Sequence, residues 1–130
     1  MSWSDPDEST AENRQAWQRF SEAWAERDID GLMALVTDDI IYGASVGPEP
    51  GATFRGRDEV RRGFEHMLRH DQVLREHAGP VVIVGDHGFA EWMYDVRLPD
   101  GSEGCERGID VLEFAHGRVA RKDAFRKVRG

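Results

Sequence analysis

Two aspartates near the end of the chain, Asp110 and Asp123, have the type and spacing for acid–base chemistry. Residues 106–114 (ERGIDVLEF) and 118–128 (RVARKDAFRKV) read as two strands joined through His116-Gly117. With those two residues as the turn, Ala115 faces Arg118, and Asp110 and Asp123 fall directly opposite each other. Opposed side chains on one face of an antiparallel pair have Cβ atoms about 4.5–5.5 Å apart. Two carboxylates so close in an apolar setting do not both ionise readily, so one retains its proton near neutral pH. A proton donor then sits beside a proton acceptor, the working parts of acid–base catalysis. Two structural alternatives stand beside this one: a hydrogen-bonded aspartate pair, or Asp123 salt-bridged to Arg121 or Lys122.

Strand alternation extends the site. Gly108, Asp110, Leu112 and Phe114 share one face, with Val119, Arg121, Asp123 and Phe125 expected opposite them. Trp92, Tyr94, Tyr42, Phe20, Trp24 and Phe64 are expected to close an apolar cavity over this pair, the usual construction of a small-molecule site. In this reading Asp123 is the base, protonated Asp110 donates to the oxygen where charge develops, and Tyr42 or Tyr94 is a second donor. Arg121, on the face assigned to Asp123, is expected to bring a guanidinium to the substrate. Tyr42 and Tyr94 read equally well as β-prone core aromatics. His66 and His70 are spaced to share a metal, but no third ligand matches them and no metal site is expected.

The elements that position these residues follow from periodicity. Residues 1–8 read as a loose lead-in and 9–130 as one domain. Ser9 and Glu12 form a capping-box pattern, and Ala16, Trp17, Phe20, Ala23 and Trp24 recur at helical spacing to about Arg27. A short helix follows Asp28, and a third runs from Arg57-Asp58 to about His70, burying Val60, Phe64, Met67 and Leu68. Residues 40–44 read as a short strand and 43–53 as a Gly- and Pro-rich loop, of which 46–51 (VGPEPG) is expected to be the rim or lid of the cavity. From Val73 onward the chain reads as strands, with Pro99-Asp100-Gly101 as a turn. Helices first and antiparallel strands after them predict an α+β fold.

Composition narrows the function classes. The net charge of -8 argues against nucleic acid, which requires a concentrated basic surface. No apolar run approaches the roughly 20 residues of a membrane span, and the polar N-terminus lacks a signal-peptide pattern. The single cysteine, Cys105, excludes an internal disulfide and suits a reducing compartment, so a cytoplasmic location is expected.

Four segments carry a resemblance to the nuclear transport factor 2-like superfamily, which includes ketosteroid isomerases, SnoaL-like polyketide cyclases and limonene epoxide hydrolases. They are residues 28–39 (DIDGLMALVTDD), 46–50 (VGPEP), 54–60 (FRGRDEV), and 108–114 (GIDVLEF) with Gly117-Arg118-Val119. The resemblance implies a cone-shaped curved antiparallel sheet packed on three N-terminal helices, and a homodimer formed through the outer sheet face. It also implies a cofactor-independent isomerase, cyclase or hydrolase acting on a small hydrophobic carbonyl-bearing molecule; the alternatives are a non-catalytic ligand-binding or dimerisation domain, or an enzyme similar to limonene epoxide hydrolases with a rearranged site. Asp110 matches the protonated aspartic acid of ketosteroid isomerases, while Ala44 and Phe20 stand where their base and tyrosine would be. Asp123 and Tyr42 resemble the second aspartate and the tyrosine of epoxide hydrolases, whereas Tyr94, Val96 and Ala44 replace the other three members. Asp123 also resembles the general-base aspartate of SnoaL-like cyclases, whose partner histidine lies near the position of Asp110.

Overall fold

In the computed structural model, which describes residues 6–46, 52–70 and 72–127, the first helix begins at Pro6. Proline's fixed φ suits a first helical turn, so this helix, α1 (Pro6–Ala25), replaces the last part of the expected lead-in. The helix α2 (Ile29–Met33) is capped by Asp28, whose carboxylate accepts from the Gly31 amide at 2.9 Å. Next come the strands β1 (Val36–Gly43) and β2 (Thr53–Arg55), then the helix α3 (Gly56–His70). Four long strands complete the chain: β3 (Val73–Val84), β4 (His87–Arg97), β5 (Glu103–Ala115) and β6 (Arg118–Arg126). The strand β2 begins at Thr53, the last residue of the stretch that the sequence marks as loop; at three residues it is too short to carry a periodic signal.

The six strands form one open, curved sheet in the order β2-β1-β6-β5-β4-β3. All neighbours are antiparallel except β1 and β6, which run parallel, so the sheet is mixed. The three helices cover its inner face. Phe20 of α1, Val60, Phe64 and Met67 of α3, and Ile40 and Tyr42 of β1 are almost wholly buried there. Their rings interlock: Phe64 packs on Phe20 at 5.8 Å, on Trp24 at 5.5 Å and on Tyr42 at 4.8 Å between ring centres. The opposite end of α1 is tied to the β3–β4 turn. Buried Asn13 donates to the Gly85 carbonyl and to Asp86, and the Thr10 hydroxyl accepts from the Gly85 amide.

The final hairpin decides what faces the interior, and it departs from the expected register. His116 and Gly117 both have positive φ, 54° and 71°, as a two-residue turn of the expected kind requires. Ala115 pairs with Arg118 and Phe114 with Val119, as equal counting from the turn demands. Glu113 then pairs with Arg121, leaving Ala120 as an extra residue in a β-bulge. Beyond it every partner is displaced by one: Leu112 faces Lys122, Val111 faces Asp123, and Asp110 faces Ala124. Side chains alternate along a strand, so one extra residue exchanges the two faces of β6. Asp110 and Asp123 therefore lie on opposite sides of the sheet.

Candidate active site

The inner face of the sheet holds a cavity of about 620 Å³. Asp110 stands in its wall, only 6% exposed, midway along β5 and beside Ala90 of β4 and Ala124 of β6. The two flanking alanines leave room above the carboxylate. Lys122, 5% exposed, enters the same cavity because the bulge turns it inward. Its Nζ lies 3.6 Å from Asp110 Oδ1, and it sits over the rings of Trp24 at 4.4 Å and Tyr42 at 4.8 Å. Tyr42 is the β1 neighbour of Lys122 across the parallel pair, which is why ring and amine share one face. A cation so placed is held by ring electrons as well as by the carboxylate.

Trp92 completes the setting. Its Nε1 donates to Asp110 Oδ1 at 3.2 Å, and its ring stacks on Tyr94 at 5.0 Å. The indole crosses the backbone of Gly108, its β5 partner, where any Cβ would collide with the ring. That glycine is therefore a condition of the Trp92–Asp110 hydrogen bond. Also lining the cavity, Arg126 pairs with Glu106, donates through Nε to the Ser45 hydroxyl at 3.1 Å, and lies 5.1 Å from the Trp92 ring. Arg126 and Glu106 stand four residues farther along each strand, in the same cross-strand relation as Lys122 and Asp110.

Burial is the main influence on the Asp110 carboxyl and raises its pKa above the ordinary aspartate value. Lys122 and the Trp92 hydrogen bond oppose that rise, favouring the charged form. Glu76, on the cavity wall, is also raised by desolvation, with Arg27 acting in the opposite direction. Asp110 is thus a carboxyl able to hold or release a proton in a largely apolar chamber.

The expected site residues divide into groups. Asp110, Tyr42, Trp92, Tyr94, Phe20 and Trp24 all line the cavity. Phe64 and Leu112 are buried behind it, in the core that supports the wall. Asp123, Arg121 and Phe125 are corrected: the bulge places them on the outer face. Asp123 accepts from Arg121 Nη2 at 3.0 Å, the salt-bridged alternative that the sequence left open. Its carboxylate also fills the space over Gly43, its β1 partner. Phe125 is 51% exposed. The epoxide-hydrolase-like set is undone by the same step, since Tyr42 and Asp123 face opposite sides. The residue that the sequence missed is Lys122. A signal was present, for Lys122 is one of only two lysines among 17 cationic side chains, the other being Lys127.

Among the described residues, no group of three or more His, Cys, Asp or Glu side chains is arranged to hold a metal, and no helix is long and apolar enough to cross a membrane. The His70 side chain and residues 47–51, expected to rim the cavity, lie outside the described residues.

The sequence matches the SnoaL-like domain model over residues 17–122, from the first cavity aromatic to the inward lysine. The chain belongs to the SnoaL-like domain family. Curated proteins provide no match to this SnoaL-like chain. Solved structures share its fold. An NTF2-like protein of unknown function from Mesorhizobium loti is 21% identical with a TM-score of 0.77, over 95% of this chain and 97% of that one. A candidate isomerase from Bacillus subtilis is 16% identical with a TM-score of 0.75, over 92% and 88%. A Mycobacterium tuberculosis protein in complex with estradiol-17beta-hemisuccinate is 16% identical with a TM-score of 0.69, over 88% and 92%.

Proposed function

We propose that this SnoaL-like protein is a cofactor-independent acid–base enzyme of isomerase or cyclase type, moving a proton on a small hydrophobic carbonyl compound. The observation that carries this reading is the buried Asp110 carboxyl, raised in pKa by desolvation and placed between an indole donor and a lysine amine inside an aromatic chamber. The substrate's carbonyl oxygen lies toward Lys122 Nζ, and the carbon next to the carbonyl lies against Asp110. Asp110 removes a proton from that carbon, and the charge developing on oxygen is stabilised by the lysine, whose effect is strengthened by the exclusion of water. Return of the proton to a different carbon gives an isomerase. Attack of the enolate carbon on a second carbonyl of the same molecule gives a cyclase. The steroid ester bound by the M. tuberculosis protein of similar fold supports a hydrophobic ligand for a chamber of this kind.

The test is deuterium incorporation from heavy water into a panel of hydrophobic cyclic ketones, followed by mass spectrometry. Incorporation that depends on Asp110 is the expected result. Tight binding of the ketones with no exchange would instead identify a ligand-binding domain.

The outer sheet face supports a homodimer as part of the same proposal. Val82, Phe89 and Val111 lie in one cross-strand row, with Phe125 near them, and all four are exposed. Phe125→Asp is expected to convert a dimer to a monomer in light scattering while the cavity still binds ketones; a wild-type monomer would contradict the pairing.

A further inference from the structure

The chain carries nearly all its positive charge on arginine, and one of its two lysines is buried in the cavity. Arginine supplies charge and hydrogen bonds but no nucleophile, because its guanidinium stays protonated in proteins. An amine differs in one respect: once it gives up a proton it can add to a carbonyl carbon. The Lys122 amine has a proton acceptor beside it, Asp110 Oδ1 at 3.6 Å. The Trp24 and Tyr42 rings hold its end in the chamber, on the wall that a carbonyl must approach.

We propose that Lys122 captures aldehydes and unhindered ketones covalently, as an imine, with Asp110 carrying the protons. This inference rests on the reading above that the carbonyl binds against Lys122. The ammonium first gives a proton to the Asp110 carboxylate. The nitrogen lone pair then forms the C–N bond while the carbonyl π pair moves onto oxygen, which takes the proton from Asp110. The nitrogen of this tetrahedral adduct returns a proton to Asp110, and Asp110 delivers it to the departing hydroxyl. The C–O bond breaks, water leaves, and a protonated imine remains beside the ionised carboxylate. The positively charged imine draws electrons from the adjacent carbon, so Asp110 removes a proton there more easily than from the free carbonyl. The substrate class narrows accordingly to enolisable aldehydes and ketones rather than esters or amides.

The experiment traps the imine in the native protein with 1-naphthaldehyde and sodium cyanoborohydride, followed by intact mass and peptide mapping. A single adduct is expected on Lys122, formed at least about tenfold faster than on Lys127, an exposed lysine at the strand end. Unfolding the protein before labelling should abolish that preference, so the comparison requires no folded variant. Lys122→Arg, which keeps the charge, should remove the adduct, and Asp110→Asn should slow its formation. Equal labelling of Lys122 and Lys127 in the folded protein, or none on Lys122, would overturn the proposal. Ketone deuteration persisting without an adduct would refute the imine alone and leave the acid–base function standing. Loss of both would overturn both.

Discussion

The final hairpin carries two aspartate–cation pairs within a few residues of each other, one on each side of the sheet. Inside, Asp110 and Lys122 are 9% and 6% exposed at the side chain, and their carboxylate and amine sit among aromatic rings. Outside, Asp123 and Arg121 are 25% and 40% exposed and form a direct hydrogen bond at 3.0 Å. Residue types and spacing alone make the two pairs look interchangeable. Solvent separates them. Within a single subunit the outer pair is screened by water and contributes little, as surface ion pairs do. The inner pair is buried, so desolvation raises the pKa of Asp110, and loss of either partner would leave a buried charge.

The largest expected effect is on activity. Asp110→Asn should reduce ketone deuteration by about 10²–10⁴-fold, the usual contribution of a positioned acid–base group. Asp123→Asn should leave it essentially unchanged. Equal losses in the two variants would erase the distinction between the faces. Stability should separate them next. Lys122→Met strands the Asp110 carboxylate and should cost about 3–5 kcal/mol near neutral pH, whereas Arg121→Met should cost no more than about 1 kcal/mol. Denaturant titration measures both.

The pH dependence of that cost has a fixed sign. Burial raises the folded-state pKa of Asp110 above its unfolded value of about 3.9, so the folded state binds the proton more tightly. Asp110 therefore favours folding most below the unfolded pKa and loses that contribution as pH rises through the folded value. Removing Lys122 raises the folded value further, so the Lys122→Met penalty should shrink on acidification. A penalty that grew toward low pH would contradict the assignment.

The smallest effect is expected from Trp92→Phe, which keeps a ring and removes the indole donor. A hydrogen bond to a charged group contributes about 1.5–3 kcal/mol. Because that bond favours the ionised carboxyl, its loss should move the acidic limb of the pH–rate profile upward. An unchanged profile would show that the Trp92–Asp110 hydrogen bond is absent in solution.

Much of this fold can be read from the residues. Helical spacing identifies the aromatic stripe of α1 and the buried face of α3, and His116-Gly117 identifies the last turn. Asp110 and the aromatic walls were also legible, because strand alternation on β4 and β5 is unbroken. The partner of Asp110 was not. A bulge depends on how β6 meets both β5 and β1, and the β1–β6 register itself shifts between Val36 and Ile41. Alanine at position 120 carries no mark of such an extra residue. The burial of Lys122 ran against composition, since lysine is rarely inside unless paired. Its scarcity in a chain rich in arginine was the one available sign.

The most direct test of the account is an NMR titration of the Asp110 side-chain carboxyl in the wild-type protein and in Lys122→Met. The expected midpoint lies above the ordinary aspartate range in the wild type and moves higher still when the lysine is removed. A midpoint within or below that range, unmoved by the loss of Lys122, would contradict a buried pair in which these two groups exchange a proton.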